Sequence, residues 1–251
     1  MAGRGAGSLA DAVVPGLLLG VFAALWWLER KRPLRQPAAA PMPRLVANLA
    51  TGALAALTVL APNTLLTQPA SRAVARRGLG LMPRLGLPEP LQRWGAVLLM
   101  DYTLYLWHIL LHRLPFLWRW HRVHHADPDL DVSTALRFHA AELLWSVPWR
   151  LGQVLLIGVS PRALSLWSSL TVAEVMFHHA NLRLPPGGER VLGRLVMTPA
   201  QHGVHHSREP AHQHTNFSSG LALWDWLHGT GGPTLPQSTL VIGLPADDRA
   251  A

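Results

Sequence analysis

The chain has 251 residues and a mass of 27.5 kDa, with 49% hydrophobic and only 14% charged residues. Its 22 basic and 14 acidic residues give a net charge of +8, yet a mean hydropathy of +0.19 and basic residues set between long apolar runs point to a membrane rather than to nucleic acid. The absence of Cys excludes disulfides, thiolate metal sites, iron–sulfur clusters and cysteine nucleophiles.

In chain order, Ala12 to Leu28 is uncharged and is followed by Glu29-Arg30-Lys31-Arg32-Pro33. A basic flank after the apolar run is the wrong order for a signal peptide and the right one for an anchor whose C-terminal end is cytoplasmic. Leu45 to Ser71 is charge-free over 27 residues, more than the roughly 20 a span needs. Trp94 to Leu111 is apolar apart from Asp101 and His108. Leu143 to Ser160, interrupted by Arg150, and Ala163 to Phe177, interrupted by Glu174, read as a helical hairpin turning at Ser160-Pro161. Arg30, Lys31, Arg32, Arg35 and Arg44 between the first two spans place that side in the cytoplasm; Arg72, Arg76, Arg77 and Arg84 then need a short amphipathic surface helix. The expected architecture is all-α: a multi-pass bundle of about four to five membrane helices, capped by a cytoplasmic histidine-rich helical di-metal domain. The expected divisions are membrane helices and linker over 1–93, the histidine-rich domain over 94–231 and a tail over 232–251.

All 14 His follow residue 107. They run His108-x-x-x-His112, His121-x-x-His124-His125, His178-His179 and His202-x-x-His205-His206. On a helix, positions i, i+3 and i+4 share one face, so each trio presents up to three imidazoles together. At this His content one His-x-x-His-His is expected ~0.04 times by chance, so two copies are a signal of metal binding rather than of polar helix caps. Imidazole suits iron, zinc, copper and nickel, and nine clustered rings are too many for one ion and about right for two. The zinc-protease His-Glu-x-x-His is missing, and Glu209-x-x-His212 stands alone where soluble di-iron bundles use a pair of Glu-x-x-His motifs. Isolated His139, His212 and His228 read as hydrogen-bonded or exposed.

The His boxes and their framing pieces resemble the fatty acid hydroxylase/sterol desaturase superfamily of integral-membrane di-metal oxygenases. The resemblance rests on His108 to His112, His121 to His125, and the run Thr198-Pro199-Ala200-Gln201-His202-Gly203-Val204-His205-His206-Ser207. Arg137-Phe138-His139 with Glu142, Phe177-His178-His179-Ala180-Asn181, Asn216-Phe217, and Leu223-Trp224-Asp225-Trp226-Leu227 before Gly229-Thr230 extend it over roughly 95–231. It implies metal ligation by His108, His112, His121, His124, His125, His179, His202, His205 and His206. His139 and His178 are implied as extra or supporting groups, and Asn181, Asn216 and Asp225 as residues that orient ligand imidazoles. Departures from the family pattern are Ala140 for Pro, His214 for an acidic residue, Ser218 for Gly, His228 for Phe and the extra His178.

The implied activity is O2-dependent oxidation of a lipid C–H bond to an alcohol or a double bond, with two iron ions as cofactor and zinc as the occupant that purified protein would also accept. The lipid is a sterol, fatty acyl chain or related molecule, entering a cleft walled by the spans; Trp107, Trp118 and Trp120 stand at its mouth or, the favoured reading, anchor the chain at the membrane interface. No cytochrome b5 His-Pro-Gly-Gly, ferredoxin Cys set or dinucleotide fingerprint is present, so a separate ferredoxin, cytochrome or reductase is the expected electron donor. The alternative is a catalytically idle or metal-binding scaffold or transport protein; uncharged spans before residue 101 argue against an ion path through them.

Overall fold

A computed structural model describes residues 5–185 and 187–245, with the side chains of the first helix from Val14 onward. Among the described residues the chain is helical, with three isolated β-bridges and no strand. The long elements are α1 (Gly5–Lys31), α2 (Pro41–Pro62), α3 (Gln68–Arg77), the short α4 (Leu81–Arg84) and α5 (Glu89–Arg113). α6 (Pro115–His125), α7 (Ala140–Gln153) and α8 (Pro161–His179) follow, then the short α9 (Gly188–Leu192), α10 (Pro199–His205), α11 (Pro210–Gln213) and α12 (Leu223–His228). Two stretches, Pro41–Arg84 and Glu89–Arg113, are long and apolar enough to cross a membrane.

α2 passes into α3 through a π-helical turn, Asn63–Thr67, and α7 is prolonged by a second one, Val154–Gly158. α7 packs on α2 and α8 on α1 and α5 rather than on each other, so the expected hairpin is reduced to the turn between them, where the Ser160 hydroxyl caps α8 by accepting from Ala163 N at 3.3 Å. That turn packs under α3, α4 and α5 around Val74, Met82, Met100, Val159 and Trp167. Lipid is as apolar as these side chains, so close contact and hydrogen bonds hold such a junction, and small residues let backbones approach. Ser71 Oγ accordingly donates to Val159 O at 2.8 Å, and a Cβ on Gly80 would stand 2.4 Å from Gly158 Cα. Both glycines have positive φ, 90° and 83°, which a bulkier residue adopts at a cost. On α3, Ser71 and Val74 are buried while Arg72, Arg76 and Arg77 are exposed, as an amphipathic surface helix requires.

The opposite end of the bundle carries the histidines. Here α2 is tied to the segment after α6 by a buried ion network. Arg44 Nε and Nη2 meet Asp127 at 2.7 and 2.9 Å, Arg44 Nη1 meets Asp131 at 2.6 Å, and Asn48 Nδ2 donates to Asp127 at 2.9 Å. Glu29 at the end of α1 accepts from Val132 N at 3.0 Å and Asn181 N at 3.1 Å, which ties α1 to the same region. The C-terminal segment also packs on this end: Arg208 N donates to Val241 O at 2.7 Å, Gly243 N donates to His206 O at 3.0 Å, and Leu244 is buried.

Candidate metal centre

Four helices deliver the imidazoles. His108 and His112 lie one turn apart near the end of α5, and the Leu114-Pro115 junction turns the chain so that α6 returns His121, His124 and His125 beside them. α8 ends in His178-His179. α10 begins with a capping box in which Thr198 Oγ1 accepts from Gln201 N at 3.4 Å and Gln201 Oε1 accepts from Thr198 N at 3.1 Å, and this aims His202, His205 and His206 inward.

Nine of these rings converge, but in two sets. His108, His112, His121, His125 and His205 form one, and His124, His179, His202 and His206 the other; within each set the candidate ligand nitrogens all lie within 4.8 Å of one another. All nine are buried. The sets abut, with the rings of His125 and His206 stacked at 4.2 Å. Neither His-x-x-His-His trio stays together. His121 and His125, at i and i+4, enter the first set and His124 the second; His205 enters the first, with His202 and His206 in the second. The expectation that each trio presents its three imidazoles together is thereby corrected, because each helix lies between the two sets and the neighbouring positions of its one face are divided between them.

The outer nitrogens are held mainly by backbone. His108 Nδ1 donates to Phe217 O at 2.7 Å, His124 Nδ1 to Arg137 O at 3.1 Å, His179 Nδ1 to Val175 O at 2.7 Å and His205 Nδ1 to Thr215 O at 2.7 Å. His121 Nδ1 donates instead to Glu142 Oε1 at 2.9 Å, and this carboxylate is 4% exposed. Oxygen acceptors of this kind oblige Nδ1 to carry the ring proton, so each Nε2 points inward as a bare lone pair.

These residues fit metal ions. Burial, reinforced by neighbouring imidazoles, pushes His124, His125, His202, His205 and His206 well below the ordinary histidine range and holds them neutral. His124 Nε2 and His179 Nε2 then face each other at 2.9 Å with no proton between them. Two lone pairs at that distance repel unless they share a cation; metal–nitrogen bonds of about 2.0–2.1 Å at right angles separate their nitrogens by about 2.9 Å. Both nitrogens of His112, His125 and His206, Nε2 of His121 and His205, and Nδ1 of His202 are buried with no hydrogen-bond partner. Leaving so many polar atoms unsatisfied would be costly, and ligation relieves it.

The remaining candidates lie outside both sets. His178 is buried against His202, with ring centroids 4.1 Å apart. His139 is the N-cap of α7, its Nδ1 accepting from Ala141 N at 3.1 Å. His214 is exposed, 6.2 Å from the His112 ring. Asn181 makes no bond to an imidazole; its amide pairs with the backbone of Arg35 through two bonds of 2.8 Å. Asn216, in the left-handed region at φ 54°, donates to Gln201 O and accepts from Gly232 N, both at 2.8 Å. Asp225 accepts from Phe217 N at 2.9 Å and Ser218 N at 2.8 Å, and so holds the loop whose carbonyl receives His108. Asn216 and Asp225 thus brace the Thr215–Phe217 backbone that orients His205 and His108, whereas Asn181 ties the end of α8 to Arg35. Glu142, the one side chain that orients a ring directly, was visible only as part of a motif, at a position with no assigned role.

An apolar cleft of about 430 Å³ ends on His108, His121, His124 and His179. Its walls come from α2, α5, α7 and α8 and include Ala56, Val59, Leu104 and Val175. Trp107 lines it, whereas Trp118 packs on His112 and His125 and Trp120 on His139, so only one of the three expected tryptophans borders the opening.

The chain is 33% identical over 148 residues to an ornithine lipid hydroxylase of Rhizobium tropici, covering 57% of this chain and 43% of that protein. It is 30% identical over 151 residues to an alkylglycerol monooxygenase of Danio rerio, covering 60% and 32%, and 28% identical over 138 residues to a cholesterol 25-hydroxylase-like protein of the same organism, covering 54% and 53%. It therefore spans less than half the length of the first two. No solved structure matches it. The fatty acid hydroxylase family matches residues 94–230, the segment that carries every one of the converging imidazoles, and the chain belongs to that family.

Proposed function

We propose that this chain is an O2-dependent membrane lipid oxidase that introduces a hydroxyl group, or a double bond, at a C–H bond of a sterol, fatty acyl chain or related lipid. The observation that carries the reading is the placement of two buried imidazole sets at the inner end of an apolar cleft. His108, His112, His121, His125 and His205 would hold one iron, and His124, His179, His202 and His206 the other. When bound, the irons supply the redox chemistry, in which O2, two electrons and two protons convert C–H to C–OH and water. The chain's own residues fix the ring orientations through four carbonyls and Glu142, exclude water by burial, and receive the alkyl chain between α2, α5, α7 and α8. No side chain is required as nucleophile. The electrons come from a separate ferredoxin, cytochrome or reductase.

In this reading α1, α7 and α8 join the two long apolar stretches in a multi-pass bundle of four to five spans, in a bacterial inner membrane with the metal centre on the cytoplasmic side. The exposed Lys31 and Arg32 lie in the linker that packs on the histidine end, which supports that orientation. The relatives' named substrates, ornithine lipid, alkylglycerol and cholesterol, are all amphipathic lipids.

Metal analysis and O2 uptake of the purified, reduced protein test the proposal. Two irons per chain and O2 uptake coupled to lipid oxidation are expected, with His124→Ala or His205→Ala abolishing oxidation while membrane insertion persists. Fewer than one ion per chain with no uptake, or retained turnover in either variant, would refute it. Lipid mass spectrometry of cells with and without the gene identifies the substrate.

A further inference from the structure

The cleft has a second end. Along α7, Glu142, Ser146 and Arg150 recur every fourth residue and all three line it, so Arg150 lies about 12 Å along the helix axis from the carboxylate that orients His121. Arg150 is also the one residue shared with a neighbouring cavity of about 350 Å³. That cavity is polar, with Asn63, Gln68, Ser71, Arg72 and Ser168 among its walls, and the π-helical turn Asn63–Thr67 borders it. Single π turns inside α-helices concentrate at functional sites.

The guanidinium donates through Nη1 to Gln153 Oε1 at 2.7 Å and lies 3.8 Å from the ring centroid of Trp167. Among the described residues no carboxylate forms an ion pair with it, and the other charged residue lining the cleft, Glu142, is engaged by His121. A cation kept among apolar walls without a counter-ion is expensive, and such residues mark where a substrate's charge is received. Its planar fork of five N–H groups matches a carboxylate or phosphate.

We propose that Arg150, with Arg72 behind it, binds the anionic group of an amphiphilic substrate, whose alkyl chain lies in the cleft and is oxidised in its interior, about 12 Å from the charge. The assignment rests on the lipid-oxidase reading, and it narrows the substrate to a lipid with a carboxylate or phosphate at one end of its chain.

The test is binding of 9,10-dibromostearate, and of the alcohol with the same brominated chain, to the metal-loaded full chain in neutral-detergent micelles, followed by bromine quenching of tryptophan fluorescence; Trp107 lines the cleft. The carboxylate is expected to bind about tenfold more tightly than the alcohol, as a charge-assisted pair implies. Arg150→Gln should remove that preference without changing alcohol binding, which also reports that the cleft is intact. Arg150→Lys should keep part of it, and Arg72→Gln should weaken it. Equal binding of both probes by the unaltered protein, or a preference that survives Arg150→Gln, would overturn the proposal. Displacement of the carboxylate by millimolar inorganic phosphate would overturn the amphiphile and assign the site to a free anion. Turnover does not enter this readout, so failure of O2 uptake or of lipid oxidation would count against the oxidase reading alone.

Discussion

Replacing Glu142 by Gln removes a charge while keeping the shape of the side chain that orients His121. The carboxylate is 4% exposed, accepts His121 Nδ1–H at 2.9 Å through Oε1, and has no partner on Oε2. A hydrogen bond to a buried charge contributes about 1.5–3 kcal/mol, against about 1 kcal/mol for a neutral one, so the change costs roughly 0.5–2 kcal/mol in holding the ring as a ligand. At 1.4 kcal/mol per factor of ten this is about a 2- to 30-fold loss of metal affinity, overlapping the lower part of the roughly 10- to 100-fold range seen when a group behind a metal-bound histidine is removed. Because His121 belongs to the five-histidine set, the loss should fall on one ion and spare the other. Chelator competition on the iron- or zinc-loaded protein reads the two affinities separately. Equal weakening of both ions, or no weakening, would show that the Glu142–His121 bond does not support a ligand.

Three other perturbations separate structural from functional roles. His139→Ala removes the N-cap of α7 and should cost about 1 kcal/mol in thermal stability while leaving two ions per chain, as metal analysis would show. Ala56→Phe places a ring in the cleft from an exposed position on α2; lipid oxidation should fall by an order of magnitude or more while metal content stays unchanged, and normal turnover would mean that substrate takes another route. Glu29 is buried beside Asp131, and these causes, burial first, raise its carboxyl to about 7. Between the unfolded value near 4.5 and this raised value the folded state holds a proton that the unfolded state lacks, so its contribution to stability falls as pH rises through that window. The melting-temperature advantage of Glu29→Gln over the unaltered protein should therefore grow from pH 5 to pH 8.

Local pattern carried much of this protein. The absence of Cys, the apolar runs and the i, i+3, i+4 histidines are short-range properties, and they suffice for a helical chain with clustered buried imidazoles and an amphipathic α3. The turn between α7 and α8 was legible because Ser160-Pro161 is both a stop and a helix start, whereas their packing on α2 and on α1 and α5 was not. What local pattern leaves open is which helix faces which neighbour.

The division of His121, His124 and His125 between two sets depends on the packing of α5, α8 and α10 around α6, since all three residues share one helical face and nothing in their spacing separates them. The groups that orient the rings were equally hidden, because Arg137 O, Val175 O, Thr215 O and Phe217 O are backbone atoms that no residue type announces. Asn181, Asn216 and Asp225 looked like ring partners for the complementary reason: polar side chains are visible in a sequence, while the backbone they brace is not. Arg150 read as a break in an apolar segment, and tertiary structure put it at the far end of the cleft from the histidines. Sequence by itself determined the chemistry available to this protein, which is imidazole, apolar surface and no thiol. Tertiary structure decided how the imidazoles are shared and what the cleft joins, because both depend on contacts between residues far apart in the chain.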